Sequence, residues 1–211
     1  MRIPLYLTLP FDIGSGIVAF LVGYYALKAY RFSGRFSLLL FSIGFIVLAS
    51  SFVGRGVVLS SVLVSRPTIA LAKLIAANAF LVSIIFELLA YVLISVSYCS
   101  VLKEKVGTKV GTIAPTAIPL VLSVNIVICV VNLMLLLFIV FSQAMVYLGS
   151  KKRSSLLVLF AFTSILTGQL LHLTALLFLT PLIYVMSRVV CFIGFLIILY
   201  ILYVVTPREK A

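Results

Sequence analysis

Two apolar runs dominate the pattern of hydrophobic and polar positions. From Ile69 to Leu102 the charged side chains are Lys73 and Glu87, and from Ile113 to Leu148 there is none. At about 1.5 Å of rise per residue, a helix over either run exceeds the roughly 30 Å of a bilayer's hydrocarbon core. The runs are continuous rather than alternating, so they predict helices and not the short strands of a transmembrane barrel. Four more segments, Ile13 to Tyr30, Phe36 to Leu59, Ser155 to Phe178 and Leu182 to Val205, read the same way, and the fourth span is placed at Ala117 to Leu148. The expected fold is all-α, a polytopic bundle of six transmembrane helices forming one integral membrane domain over residues 1–211. The third and fourth helices must tilt or project beyond the bilayer. Pro10, Pro67 and Pro181 stand at expected helix starts, where a missing N–H costs little, and no proline falls inside a span. The connections are short, which leaves no soluble domain.

Sliding the chain by 117 residues places Tyr30 on Tyr147, Ser33 on Ser150, Arg35 on Lys152, Phe45 on Phe162 and Arg55 on His172. A similar slide places Pro67 on Pro181 and Lys73 near Arg188. Two three-helix halves are therefore expected, residues 13–102 and 117–205. With three spans in each, the second half is expected upside down relative to the first, the inverted repeat of many transporters.

Composition agrees with a membrane setting: 64% of the residues are hydrophobic and 9% charged, far below what a solvated surface needs. The formal charge of +12 comes mostly from Lys and Arg near span ends. Such residues set topology and bind anionic lipid headgroups, and no connecting segment is long enough to build a nucleic-acid surface. The basic loops Arg31 to Arg35 and Lys151 to Arg153, three spans apart, are expected on opposite sides. Both termini are expected to be cytoplasmic.

Glu87 lies well inside the third span, where a charge costs about 2.5–3.5 kcal/mol unless it faces the bundle interior, takes up a proton or pairs with a cation. His172, the single histidine, shares a helical face with the small residues Ser164, Gly168 and Ala175, which invites close helix contact. Asn125, Cys129, Asn132, Leu136, Ile139 and Gln143 recur at spacings of three and four, a stripe that must meet other helices or a partner chain. Ser15, Ala19 and Gly23 form a ridge of small residues on the first span. Arg55, Lys73 and Arg188 sit one to two turns inside span ends, where long basic side chains snorkel to headgroups. Facing inward instead, Arg55 or Arg188 would be the counter-ion for Glu87. Asp12 and Glu104 read as isolated charges at span ends.

Cys99, Cys129 and Cys191 show no CxxC and read as small core residues, without a metal site or cofactor. A lone histidine cannot supply both ligands of a bis-histidine haem. No HExxH, GxSxG or Walker loop is present, so catalysis is not expected. The stretch YYALKAYRFSGRFSLLL, Tyr24 to Leu40, resembles in style the membrane regions of prokaryotic sensory proteins. The leading reading is thus a non-catalytic membrane protein working through helix contacts with other chains or a second copy of itself, as accessory subunit or sensor component. The alternatives are a small ion- or proton-coupled transporter with Glu87, His172 and a basic residue on its pathway, and an oxidoreductase subunit whose partner supplies the cofactor ligands.

Overall fold

A backbone in hydrocarbon has no water to bond its N–H and C=O groups, so an apolar segment of spanning length closes them within itself as a helix. The computed structural model describes residues 5–65, 69–106, 124–178 and 180–205. They form α1 (Leu5–Ser33), α2 (Phe36–Ser65), α3 (Ile69–Val106), α4 (Val124–Ser150), α5 (Arg153–Phe178) and α6 (Pro181–Val205). All six hold a stretch long and apolar enough to cross a membrane. Helix α1 starts ahead of the expected Ile13 and takes Pro10 into its second turn. Helix α4 is described from Val124, so the expected start at Ala117 lies outside the described residues.

Each helix packs on its sequence neighbours, and α6 closes on α1, giving a ring of six. The middle is filled by side chains from facing helices. Phe162 of α5 stacks edge-on against Phe41 of α2 and Tyr98 of α3, while Phe195 of α6 meets Phe45 and Phe52 of α2. Glycines set the tightest seams. A side chain at Gly16 or Gly23 of α1 would run into Val53 or Ile46 of α2, and one at Gly168 of α5 into Cys191 of α6. Buried serines then reach a neighbour's backbone: Ser42 donates to the Gly23 carbonyl at 2.7 Å, and Ser97 to that of Ser37 at 2.7 Å. Outward positions such as Phe20, Tyr24, Phe141, Phe160 and Leu177 stay exposed, as a lipid-facing surface requires.

The helix directions overturn the inverted repeat. Helix α6 runs parallel to α1, since Phe11 meets Phe192 and Tyr25 meets Tyr203. Helix α5 runs antiparallel to α3, with Phe162 on Tyr98 and Gln169 on Tyr91. The two-residue turn at Lys151 and Lys152 makes α4 antiparallel to α5, and hence parallel to α3. Both halves consequently point the same way, with α1 placed like α4, α2 like α5 and α3 like α6 around the ring. The described ends, Leu5 and Val205, lie at opposite ends of the bundle, against the expectation that both termini share a side. The loops at Arg31 to Arg35 and Lys151 to Arg153 lie at the same end, not at opposite ones.

Burial repeats with that correspondence. At an offset of 117, Gly44, Phe45, Leu48, Ala49, Ser51, Phe52 and Arg55 of α2 match Ala161, Phe162, Ile165, Leu166, Gly168, Gln169 and His172 of α5, all buried. Asp12, Ser15, Ala19, Val22 and Ala26 of α1 match Cys129, Asn132, Leu136, Ile139 and Gln143 of α4. For α3 and α6 the offset is 104, pairing Ser83 with Ser187, Ile84 with Arg188, Glu87 with Cys191, Ala90 with Gly194, Tyr91 with Phe195 and Ile94 with Ile198. Arg188 thus corresponds to Ile84, not to Lys73. The α1–α2 and α4–α5 turns repeat as well. Gly34 and Lys151 both adopt positive φ, 67° and 50°, and donate to the carbonyls of Tyr30 and Tyr147 at 2.8 and 2.7 Å.

Candidate functional site

Four charged side chains from four helices meet inside the ring. Asp12 lies seven residues along α1 from Leu5 and Arg188 seven along α6 from Pro181, so the cluster sits about 10 Å from the ends of α1 and α6, while α2 and α3 extend farther past it, to Ser65 and Ile69. Arg55 of α2 donates from an Nη to Asp12 Oδ1 at 2.6 Å, and its other Nη stands 3.6 Å from Glu87 Oε1 of α3. Arg188 Nε lies 3.7 Å from Asp12 Oδ1. Asp12 therefore bridges two guanidinium groups, and Arg55 bridges two carboxylates. All four are at most 4% exposed, and their formal charges cancel.

The balance of charge is not matched by a balance of hydrogen bonds. Asp12 Oδ2, Glu87 Oε1, Arg55 Nε and Arg188 Nε are buried without a hydrogen-bond partner in the structure. An unsatisfied buried polar atom costs about 1–3 kcal/mol, and more when charged. Aromatic rings take part of the load: the Arg55 guanidinium lies 5.5 Å from the Phe52 ring centroid and that of Arg188 5.0 Å from Tyr184, whose hydroxyl accepts from an Arg188 Nη at 3.3 Å. The His172 ring tilts against Tyr184 with centroids 5.3 Å apart. Gln169 Nε2 donates to the Tyr91 hydroxyl at 3.2 Å, one turn along from Glu87. Cys129 and Cys191 lie within electrostatic reach of Glu87 and Arg188. Among the described residues no three metal-capable side chains converge on one point.

Glu87, Arg55, Arg188 and His172, singled out from the sequence, are brought into one region. Arg55 and Arg188 do not snorkel; each is turned inward by a carboxylate that no headgroup could offer at that depth. Asp12, read as an isolated charge, is the hub. Its signal was present, since Asp12 falls on the face of the Ser15, Ala19 ridge, three residues before Ser15. The side chain of Lys73 lies outside the described residues, as does that of Asn125. Of the α4 stripe, Asn132 is 1% exposed inside the ring, and Gln143 donates to the Ser155 carbonyl at 3.0 Å, so the stripe is met by the chain's own helices. Comparison with protein-family models, with curated proteins and with solved structures finds no match.

Proposed function

We propose that this multi-spanning membrane protein is a small proton-linked transporter whose gate is the cluster of Asp12, Arg55, Glu87 and Arg188. The observation that carries the reading is the contrast at equivalent positions. Cys129, His172 and Cys191 occupy in the second half the buried places of Asp12, Arg55 and Glu87 in the first. The same scaffold is thus built without those charges, and ionisable groups kept inside a membrane at a cost point to work done there.

The seams supply a motion. Contacts are dense at α1–α2, α2–α3 and α5–α6, and sparser at α3–α4 and α6–α1, where the halves meet, and at α4–α5 within the second half. Parallel repeats related by an axis along the membrane normal are an established transporter plan, in which one repeat rocks against the other. The contact between Asp12 and Arg188 crosses the α6–α1 seam. A proton on Asp12 weakens that tie directly, and a proton on Glu87 releases Arg55 from its second carboxylate. The basic end, with Lys28, Arg31, Arg35, Lys151, Lys152 and Arg153, suits anionic headgroups. The reading assigns no catalysis to the chain.

A second reading, accessory subunit or sensor component, is favoured by one feature. The rings of Phe41, Phe45, Tyr98 and Phe162 fill the ring interior toward the basic end. Vesicles reconstituted with the purified protein and loaded with a pH dye separate the two. Transport predicts proton movement above protein-free vesicles when a pH gradient is imposed with a panel of small solutes, and its loss in Glu87→Gln. Undiminished movement in Glu87→Gln rejects the cluster as the coupling site, and none in the wild type favours the accessory or sensor reading.

A further inference from the structure

We infer that the cluster is loaded with protons from the non-cytoplasmic side, the chain crossing the membrane an odd number of times with Leu5 outside and Val205 inside. The inference rests on the transporter reading for its ligand but not for its topology. Helix directions give the topology. Helix α6 runs parallel to α1, so Leu5 and Val205 lie at opposite ends of the bundle.

Charge gives the side. At the end where α1, α3 and α4 finish stand Lys28, Arg31, Arg35, Lys103, Lys105, Lys151, Lys152 and Arg153. Toward the other end, among the described residues outside the cluster, Lys73 is the single Lys or Arg. With the repeat inverted these sums nearly balance; with the halves parallel they do not. Short loops rich in Lys and Arg stay in the cytoplasm, so the basic end is inside.

The cluster then lies about 10 Å in from the outer ends of α1 and α6, with α2 and α3 extending farther. On its inner side the aromatic rings of α2, α3 and α5 intervene. Protons from outside have the shorter route, and the groups they meet can be named. They are Asp12 of α1, Arg55 of α2, Glu87 and Tyr91 of α3, Cys129 of α4, His172 of α5, and Tyr184, Arg188 and Cys191 of α6. Of these, Asp12 and Glu87 are the carboxylates, held in a set whose hydrogen bonding is incomplete.

Epitope tags on the two termini of the full chain test the topology without reference to transport. Antibody should label the N-terminal tag on intact cells and the C-terminal tag only after permeabilisation. Equal accessibility of the two tags overturns the odd crossing number, and the reverse pattern overturns the side. Infrared spectra of the protein in vesicles of known orientation test the loading. The carboxyl C=O band should respond to acidification on the N-terminal tag's side while a gradient is held, and this response should shrink in both Asp12→Asn and Glu87→Gln. A response from the other side alone overturns sided loading. No response from either side overturns the proton as ligand, and with it the transporter reading, while the tag result stands independently.

Discussion

The first three helices and the last three enclose the same kind of space with different chemistry. In α1–α3 the inward level toward the Leu5 end carries Asp12, Arg55 and Glu87; in α4–α6 the equivalent level carries Cys129, His172 and Cys191, with Arg188 one turn away in place of Ile84. Burial follows the same positions in both. Close packing therefore dictates which positions face inward, and leaves their charge free. Packing detail differs where the glycines differ. Gly16 and Gly23 bring α1 against α2, while their counterparts Leu133 and Val140 are larger and leave α4 half-buried against sparser seams.

The largest break in that comparison should come from removing one arginine. Arg55→Met leaves Asp12 without its hydrogen-bonded partner and Glu87 without its nearest cation. Stripping one member from a buried ionic set costs roughly 3–5 kcal/mol. Thermal unfolding in detergent should show this loss, and a clearly smaller one for His172→Leu at the equivalent position. Equal losses would mean the halves do not differ in the way described.

Next in size is the glycine seam. Gly168→Val would drive its side chain into Cys191 and to within about 3 Å of the Ser187 carbonyl, at a cost of roughly 1–3 kcal/mol by overpacking. Gly54→Val, with nothing within 4 Å, is the control and should be near neutral or mildly stabilising. The smallest effect is expected at the turns. Lys151→Gly should stabilise by up to about 1 kcal/mol, since a left-handed residue with a Cβ is strained, and Gly34→Ala should destabilise by a similar amount.

Most of the architecture can be read from the chain, and the exceptions have physical causes. Long uncharged runs specify helices because hydrocarbon allows little else, and the slide by 117 residues finds the repeat because both halves bury the same positions. Its direction is hidden. The run from Ile113 to Leu148 holds no charged residue to mark where α4 begins. Glu87 announces itself by the cost of a lone charge among apolar neighbours, whereas Asp12 stands near an expected span end, where a charge is cheap and draws no notice. Whether Arg55 and Arg188 snorkel or turn inward depends on a partner on another helix. Helical periodicity carries no such information.

The central claim is that the ring does not need its charges and the function does. It is tested most directly by giving each charged position the residue found at its equivalent in the other half, with Asp12→Cys, Arg55→His, Glu87→Cys and Arg188→Ile combined in one chain. The account predicts that this variant inserts, purifies and unfolds cooperatively close to the wild-type temperature, because no unpaired charge is left behind, while the pH-dependent carboxyl signal and proton movement in vesicles are gone. A variant that fails to fold, although each replacement copies a residue the scaffold already buries, would show that the cluster holds the ring together and would contradict the account.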